Sequence, residues 1–280
     1  MHLSPQFGLF VGLSSIALMA APAMAQDAPA KEFEGVYVGA SVGFDAQPND
    51  VGESILFDRN LDGRFGDVVT TAAGANAFSP GFCNGAARTN APDGGCANDR
   101  DGLSYSGRIG GDAQFGHLVI GAIGEFGKSD VRDSVTAYST TPASYTMTRG
   151  VDFDANLRAR VGYAANRTLF YATGGGAYAK INHSFTTTNG ANSFAVRGKD
   201  DRFGYVVGGG LEQKISRHVS FGLEYLYNQF KDGDSRVRAG QGTAPLTNPF
   251  LLATTQGTDF ARSDSKFAWH SVKLTLNYRF

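Results

Sequence analysis

An alternation of apolar and polar residues is clearest between positions 151 and 163. Apolar side chains occupy every second position there, from Val151 to Tyr163, and Asp, Asn, Arg and Gly occupy the positions between them. Successive side chains of a β-strand point to opposite faces, so this period of two predicts one apolar face and one polar face. At about 3.3 Å per residue, the strand is long enough to cross a bilayer at a tilt.

Seven further segments alternate in the same way, which gives eight predicted strands: 36–45, 104–115, 118–127, 151–163, 168–180, 202–215, 219–230 and 267–280. Their connections alternate between long and short: 46–103, 116–117, 128–150, 164–167, 181–201, 216–218 and 231–266. Short periplasmic turns and long extracellular loops are typical of outer-membrane barrels. We therefore predict an all-β fold, an eight-stranded antiparallel up-and-down transmembrane β-barrel with both termini in the periplasm.

The two faces of these strands have different predicted surroundings. In the last strand, Leu274 is expected to face lipid near the middle of the membrane, and Thr275 is expected to face the lumen. Four aromatic residues fall at the predicted periplasmic strand ends, where their amphipathic rings favour the membrane interface. They are Phe115, Tyr163, Tyr278 and Phe280.

The predicted lumen carries balanced charge. An eight-stranded barrel is only just wide enough for its own side chains, so inward charges should pair with one another and fill the lumen. Twelve residues occupy these positions: Arg108, Asp112, Glu125, Asp152, Asp154, Arg158, Arg160, Glu212, Lys214, Glu224, Lys273 and Arg279.

The first 25 residues differ in kind from the rest of the chain. They contain an apolar stretch followed by Ala23 and Ala25, which fit the A-x-A cleavage site of a secretory signal peptide. This predicts a signal peptide at 1–25 and a barrel at 26–280. The n-region carries only His2 where Lys or Arg is expected, so a misplaced start and an uncleaved anchor remain alternatives. Beyond residue 25, no window approaches 18 apolar residues, and we expect no membrane-spanning helix.

Composition and net charge argue against a helical bundle and against a nucleic acid partner. The chain has 37 Gly among 280 residues and 18% charged residues, and this excess of Gly argues against a helical bundle. The formal net charge is −1, so no basic excess is present to hold a nucleic acid backbone.

Two features of the first long loop, 46–103, suggest specific chemistry. Cys83 and Cys96 lie 13 positions apart with no His or third Cys nearby to complete a metal site, which favours a disulfide. Asp58, Asn60 and Asp62, followed by Gly63, match positions 1, 3, 5 and 6 of a calcium loop. Position 12 is Val69 instead of an acidic residue, so the alternative is an ordinary surface turn rich in Asp, Asn and Gly.

The chain shows little sign of catalysis. Asp152 and Asp154 resemble a pair of acids, but Arg158 and Arg160 follow on the same face, and charge neutralised within the lumen explains them better. The five His residues form no HExxH spacing. We expect no enzyme, no catalytic residues and no cofactor other than the candidate calcium ion.

Three segments resemble a known family. Residues 157–180, 203–230 and 270–280 are similar to strand motifs of the porin-like outer-membrane β-barrel family, small OmpA-like surface antigens of alphaproteobacterial type. The resemblance implies the outer membrane of a Gram-negative bacterium, reached through the periplasm. By the same resemblance, Tyr278 and Phe280 correspond to the signal read by the outer-membrane assembly machinery. Residues 46–103 are much longer than the corresponding loop of typical members.

These observations lead to one functional hypothesis and one alternative. We expect a structural surface protein with a charge-filled lumen, in contact with outer-membrane lipids and with surface ligands at its loops. The alternative is a narrow porin that passes small solutes.

Overall fold

The computed structural model describes residues 31–48 and 52–280. The predicted signal peptide, residues 1–25, lies outside the described residues. No helix in the described part of the chain is long and apolar enough to cross a membrane. Two short 3-10 helices are present, Pro92–Gly94 and Pro249–Leu251. The strands are β1 (Gly35–Ala46), β2 (Ile55–Asp58), β3 (Gly81–Asn84), β4 (Ala86–Ala87), β5 (Cys96–Ala97), β6 (Gly102–Phe115), β7 (Leu118–Ser129), β8 (Arg132–Ser139), β9 (Ala143–Ala165), β10 (Thr168–Thr187), β11 (Ser193–Arg197), β12 (Asp201–Lys214), β13 (Val219–Lys231), β14 (Arg236–Gly240), β15 (Thr258–Arg262) and β16 (Lys266–Arg279).

Eight strands form a closed antiparallel ring in the order β1, β6, β7, β9, β10, β12, β13, β16 and back to β1. This is also their order along the chain, so the predicted fold class, an up-and-down barrel, is confirmed. Each strand ends within two residues of its predicted bounds except at the start of β9 and at the end of β10. Both extensions lie at the end of the ring with the long connections, called here the loop end; the opposite end is the turn end.

The wall of the barrel has the two faces that the alternation predicts. Leu274 is 63% exposed on the outer face, and the next residue, Thr275, is 3% exposed on the inner face. All four aromatic residues of the predicted girdle are exposed at the turn end. Two of their rings stack on histidines, Tyr163 on His117 and Tyr278 on His218. The outer surface is therefore an apolar band with aromatic side chains along one rim.

Val151, the first residue of the alternating segment 151–163, faces the interior of the barrel instead of its outer surface. The register of β9 and β10 shifts between Lys180, which lies opposite Phe153, and Ile181, which lies opposite Val151. Asp152 is the residue that has no partner at this shift. The shift reverses the pleat, and Val151 packs against buried apolar residues inside the barrel. The prediction that Val151 shares the outward face of Phe153 is therefore wrong.

The long connections fold together above the loop end into a structure that we call the cap. It consists of β2, β3, β8, β11, β14 and β15 with the upper parts of β9 and β10. Four of its strands form a separate sheet in the order β11, β14, β15, β2, while β8 and β3 extend the edge of the barrel sheet at β9. A continuous apolar core lies between them, built mainly from Ile55, Phe57, Val69, Phe78, Val135, Tyr145, Met147, Val237, Phe250 and Phe260.

The predicted disulfide lies at the side of the cap. Cys83 of β3 is bonded to Cys96 of β5, and β3 pairs with β8 through the register from Gly81 opposite Tyr138 to Asn84 opposite Val135. The disulfide therefore closes a short segment of the first connection at the cap edge, outside the ring of barrel strands.

Candidate functional site

The lumen is the site to which the sequence assigns the most residues. Except for Asp152 and Asp154, each of the twelve predicted lumen charges belongs to at least one ion pair. Many of these pairs join strands that are not neighbours in the ring, which requires the side chains to meet inside it. From the turn end to the loop end, the interior consists of five layers.

An apolar layer closes the turn end. The segment before β1 folds beneath the barrel, where Phe33 is fully buried against Val119 and Leu169. The backbone N–H of Phe33 donates to Gln114 Oε1 at 2.9 Å, and Arg279 donates to the Phe33 carbonyl at 2.8 Å. Lys214 lies here too, where its Nζ is 3.2 Å from Glu32 Oε2.

The next layer is the lower charge cluster, formed by Asp112, Arg160, Glu212 and Arg279. Arg160 donates a bidentate pair of hydrogen bonds to Asp112 and a further bond of 2.9 Å to Glu212. Arg279 donates to the same Asp112 at 2.9 Å. Both guanidinium groups lie over the ring of Tyr37, with their central carbons 5.0 and 4.7 Å from its centroid. Two cations thus neutralise two carboxylates within one buried contact group.

The central charge cluster lies above it and spans the ring. Arg108 of β6 donates to Glu125 at 2.8 Å and to Glu224 at 2.9 Å. Arg158 lies 3.1 Å from each of the same two carboxylates. Lys273 donates to Glu125 at 2.5 Å. The five side chains come from five strands, and their groups form one network across the full width of the lumen.

The fourth layer is apolar and was missed by the sequence analysis. Trp269 stacks on Phe230 with ring centroids 5.2 Å apart, and Phe267 packs against the same indole. Leu226 and Val206 complete the contact group, which is fully buried. The signal was present in the last strand, because Phe267 and Trp269 occupy the same inward set of positions as Lys273 and Thr275.

The upper charge cluster separates this apolar layer from the cap core. Arg262 donates to Glu53 at 2.7 and 2.5 Å and to Asp133 at 2.5 Å. Arg149 donates to the other oxygen of Asp133 at 2.7 Å. Beside them, Asp232 accepts from Arg202 at 2.7 Å. The cluster joins the first connection, β8, β9, β12 and β15, so it fastens the cap to the barrel.

Three carboxyl groups around the upper charge cluster have shifted pKa values. Burial raises the pKa of Glu53, although Arg262 opposes the shift. Burial, reinforced by the neighbouring charge of Asp133, raises the pKa of Asp99 to about 7. Burial also acts on Asp232, but its hydrogen bond with His183 and its proximity to cations outweigh that effect and lower its pKa.

Asp152 and Asp154, for which the sequence analysis preferred neutralised lumen charge over an acid pair, do not form a joint site. Asp152 lies at the register shift, and Asp154 continues the inward face of β9 next to Asn156. Neither belongs to an ion pair among the described residues.

The candidate calcium loop is a tight turn in which the side chains bind the backbone. Asp58 accepts from the N–H groups of Asp62, at 3.2 Å, and Gly63, at 2.8 Å. Asn60 also accepts from Asp62 N–H, at 3.2 Å. Val69, at position 12, is buried in the cap core and cannot close the loop. Across the described residues, no cluster of three His, Cys, Asp or Glu side chains could hold a metal ion. This geometry favours the Asp, Asn and Gly-rich turn.

Buried side chains form successive layers along the barrel interior. Along the axis, an apolar layer is followed by two charge clusters, a second apolar layer and a third charge cluster, and the cap core covers the loop end. Cations and carboxylates in the charged layers pair mainly with one another, an arrangement that favours structural charge neutralisation.

The chain matches a family of outer-membrane β-barrels and is similar to outer-membrane proteins of other bacteria. The family model described as "Outer membrane protein beta-barrel domain" matches residues 12–280. The 31 kDa outer-membrane immunogenic protein of Brucella melitensis is 28% identical over 58% of this chain and 60% of its own length. The match therefore spans less than two thirds of that relative. The 22 kDa outer membrane protein of Rhizobium leguminosarum is 27% identical over 59% of this chain and 71% of its own. The solved structure of the Yersinia pestis attachment invasion locus protein Ail covers 89% of this chain and 100% of Ail, with 11% identity and a TM-score of 0.33.

Proposed function

Since this chain belongs to the outer-membrane β-barrel family and is an outer-membrane protein, we propose that it is a closed surface protein that displays a folded cap outside the cell. The loop end is then extracellular and the turn end periplasmic, as in other barrels of this kind. The observation that carries the proposal is the stack of buried layers in the lumen, from Phe33 at one end to the Trp269 contact group below the cap.

The cap supports a role in surface interactions. It has an apolar core of its own, so its outer residues are held in fixed positions as a defined surface. The Brucella relative is named an immunogenic protein, and a stably folded extracellular surface is consistent with recognition from outside the cell. We propose that surface ligands bind at the cap and that the C-terminal strand, ending in Tyr278 and Phe280, is read by the assembly machinery.

The proposal includes no enzymatic activity. The histidines with the most defined surroundings already have structural hydrogen bonds: His117 with the Ala164 carbonyl, His218 with the Arg279 carbonyl, and His183 with Asp232. The neighbouring inward carboxylates form ion pairs with Arg or Lys; they are Glu125, Glu224, Asp112 and Glu212. These contacts support a structural role for the lumen groups.

Ion conductance and solute uptake test whether the barrel is closed. The full chain would be refolded and inserted into planar bilayers for conductance measurements and into liposomes for swelling assays with a small neutral sugar. We expect neither steady openings nor swelling, because several buried layers lie in series. Steady single-channel openings would overturn the proposal of a closed barrel and support the narrow porin.

A further inference from the structure

Two lysines lie side by side on the outer wall of the barrel at its extracellular end. Lys231, the last residue of β13, is the direct cross-strand partner of Lys266, the first residue of β16, and both are exposed on the outward face. Directly opposite residues of an antiparallel pair have Cβ atoms about 5 Å apart, and like charges placed there repel. Among the described residues, neither side chain belongs to a salt bridge, so the repulsion is not offset by a carboxylate.

Lys266 lines a recess in the wall, and Lys231 lies opposite it on the neighbouring strand. Ala268 is small and lies between the longer side chains of Lys266 and His270, and the recess formed there has a volume of about 350 Å³. Gln229 lines it too, opposite Ala268. The Tyr227 hydroxyl donates to Gln229 Oε1 at 3.0 Å, so the oxygen of this amide is engaged and its N–H groups are the donors that it can offer a ligand.

One carboxylate also lines the recess. Asp264 Oδ1 accepts from the Lys266 backbone N–H at 2.9 Å, and its other oxygen lies 3.7 Å from Arg149. Arg149 therefore partly offsets this charge from inside the cap. The recess is therefore lined by one ammonium group, one amide and a partly offset carboxylate, and the ammonium group of Lys231 lies beside it.

Along the membrane normal, the two lysines lie at the level expected for lipid headgroups. Eight residues separate Lys266 from Leu274, or roughly 26 Å along the strand and about 20 Å along the membrane normal at a typical tilt. The apolar band of such barrels is about 25 Å tall, so the lysines lie several ångströms beyond its edge. Phe203, on β12 beside Lys231, is 74% exposed at the same level, as expected for a side chain at the membrane interface.

We propose that Lys231 and Lys266 form a binding site for a phosphate group of a lipid A headgroup in the outer leaflet. A dianionic phosphate between the two ammonium groups replaces their repulsion by two charge-assisted hydrogen bonds, and Gln229 supplies a third donor. The recess accommodates part of the sugar that carries the phosphate. This inference requires the outer-membrane location and rests on the proposed extracellular position of the loop end, but it is independent of whether the lumen is closed.

The test uses the refolded full chain in a neutral detergent, with native mass spectrometry as the readout and diphosphoryl lipid A as the probe. The double variant K231Q/K266Q should bind the probe roughly 25-fold more weakly, about fivefold for each lysine. The control K128Q/K180Q removes the same charge from outward positions of β7 and β10, where Lys128 lies opposite Tyr105 and Lys180 opposite Asp201. It should change affinity less than twofold, and heat-modifiable migration should show that both variants fold.

The remaining arms identify the ligand. Lipid A without phosphates should bind wild type as weakly as diphosphoryl lipid A binds the double variant. Equal binding of the phosphate-free lipid, or equal losses in the two double variants, would overturn the proposal. Displacement of the lipid by millimolar inorganic phosphate would show a free-anion site and overturn the lipid assignment. In wild type alone, lipid A should protect Lys231 and Lys266, but not Lys128, from amine-modifying reagents; equal labelling of all three would contradict the site.

Discussion

Arg160 illustrates how far single residues could be predicted. Its inward position followed from strict alternation in β9, and its pairing followed from the narrowness of an eight-stranded barrel. The partners, Asp112 and Glu212, could not be derived because they come from strands far apart in the sequence. Val151 was assigned to the wrong face because a single skipped residue, Asp152, reverses the pleat. Nothing in the local pattern reveals such a shift.

Replacing Arg160 with Ala should destabilise the barrel by about 3 to 5 kcal/mol, because Arg279 is then left to pair with both Asp112 and Glu212, and one buried carboxylate is uncompensated. Urea unfolding in lipid vesicles, followed by heat-modifiable gel migration, measures the change in the free energy of unfolding. The same substitution at Arg217, which is exposed in the turn between β12 and β13, serves as the control and should change little. Equal stability of Arg160→Ala and wild type would mean that water already solvates this part of the lumen.

Asp99 should make the stability of the cap depend on pH. Its pKa is raised to about 7 by burial and by Asp133, so the folded cap favours the protonated acid. The stabilisation is complete below the unfolded pKa of about 4 and is lost as pH rises through 7. The pKa of Glu53 is raised in the same way, whereas the lowered pKa of Asp232 affects the stability of the cap only at more acidic pH.

The cap should therefore open more readily at pH 8 than at pH 5.5. Asp99→Asn keeps an acceptor for the Ser134 N–H, now 2.7 Å from Asp99 Oδ1, and should weaken this dependence. The opening of the cap is measured by hydrogen exchange of the β8 amides, corrected for intrinsic exchange rates. The substitution of the exposed Asp93 by Asn serves as the control. A pH profile of Asp99→Asn identical to that of wild type would contradict the assignment.

The strands were predicted with unequal success for one physical reason. Barrel strands separate lipid from a packed interior, so their sequences alternate and their bounds could be read. The upper part of β9 and its partner β8 are largely buried on both faces within the cap, and this burial removes the alternation. The short cap strands β2, β3, β11, β14 and β15 have only four or five residues each, which is too short for a clear periodic signal. The loop lengths nevertheless placed this material at one end of the barrel.

The register of β16 makes a prediction at this scale. Leu274→Arg places a cation in lipid and should cost roughly 2 to 4 kcal/mol, less in thinner bilayers. Thr275→Arg should be costly for a different reason, since the lumen there is already packed: a Cβ added at Gly222 would lie 2.5 Å from Thr275 Oγ1. Its cost should not vary with bilayer thickness. Unfolding in vesicles of two acyl-chain lengths compares them, and equal responses would show that the register is wrong by one residue.

At the scale of the whole molecule, two apolar cores are separated by charge. The lumen layer around Trp269 and the cap core around Phe260 lie on opposite sides of the upper charge cluster, where Arg149 and Arg262 hold Asp133 between them. The sequence indicated a barrel and long connections, but not that those connections share a core. That core joins residues from 55 to 260, and no local pattern encodes contacts at such separations.

This separation predicts that the cap can lose stability without the barrel. Phe260 contacts the rings of Phe57, Tyr145 and Phe250, and Phe260→Ala should destabilise the cap by about 3 to 5 kcal/mol. Protease sensitivity of the cap should rise while heat-modifiable migration and the urea midpoint of the barrel stay near those of wild type. Trp269→Ala, equally buried but below the charge cluster, should lower the barrel midpoint instead. If both substitutions lowered the barrel midpoint alike, cap and barrel would unfold as one cooperative unit, and the charge cluster would couple the two cores instead of separating them.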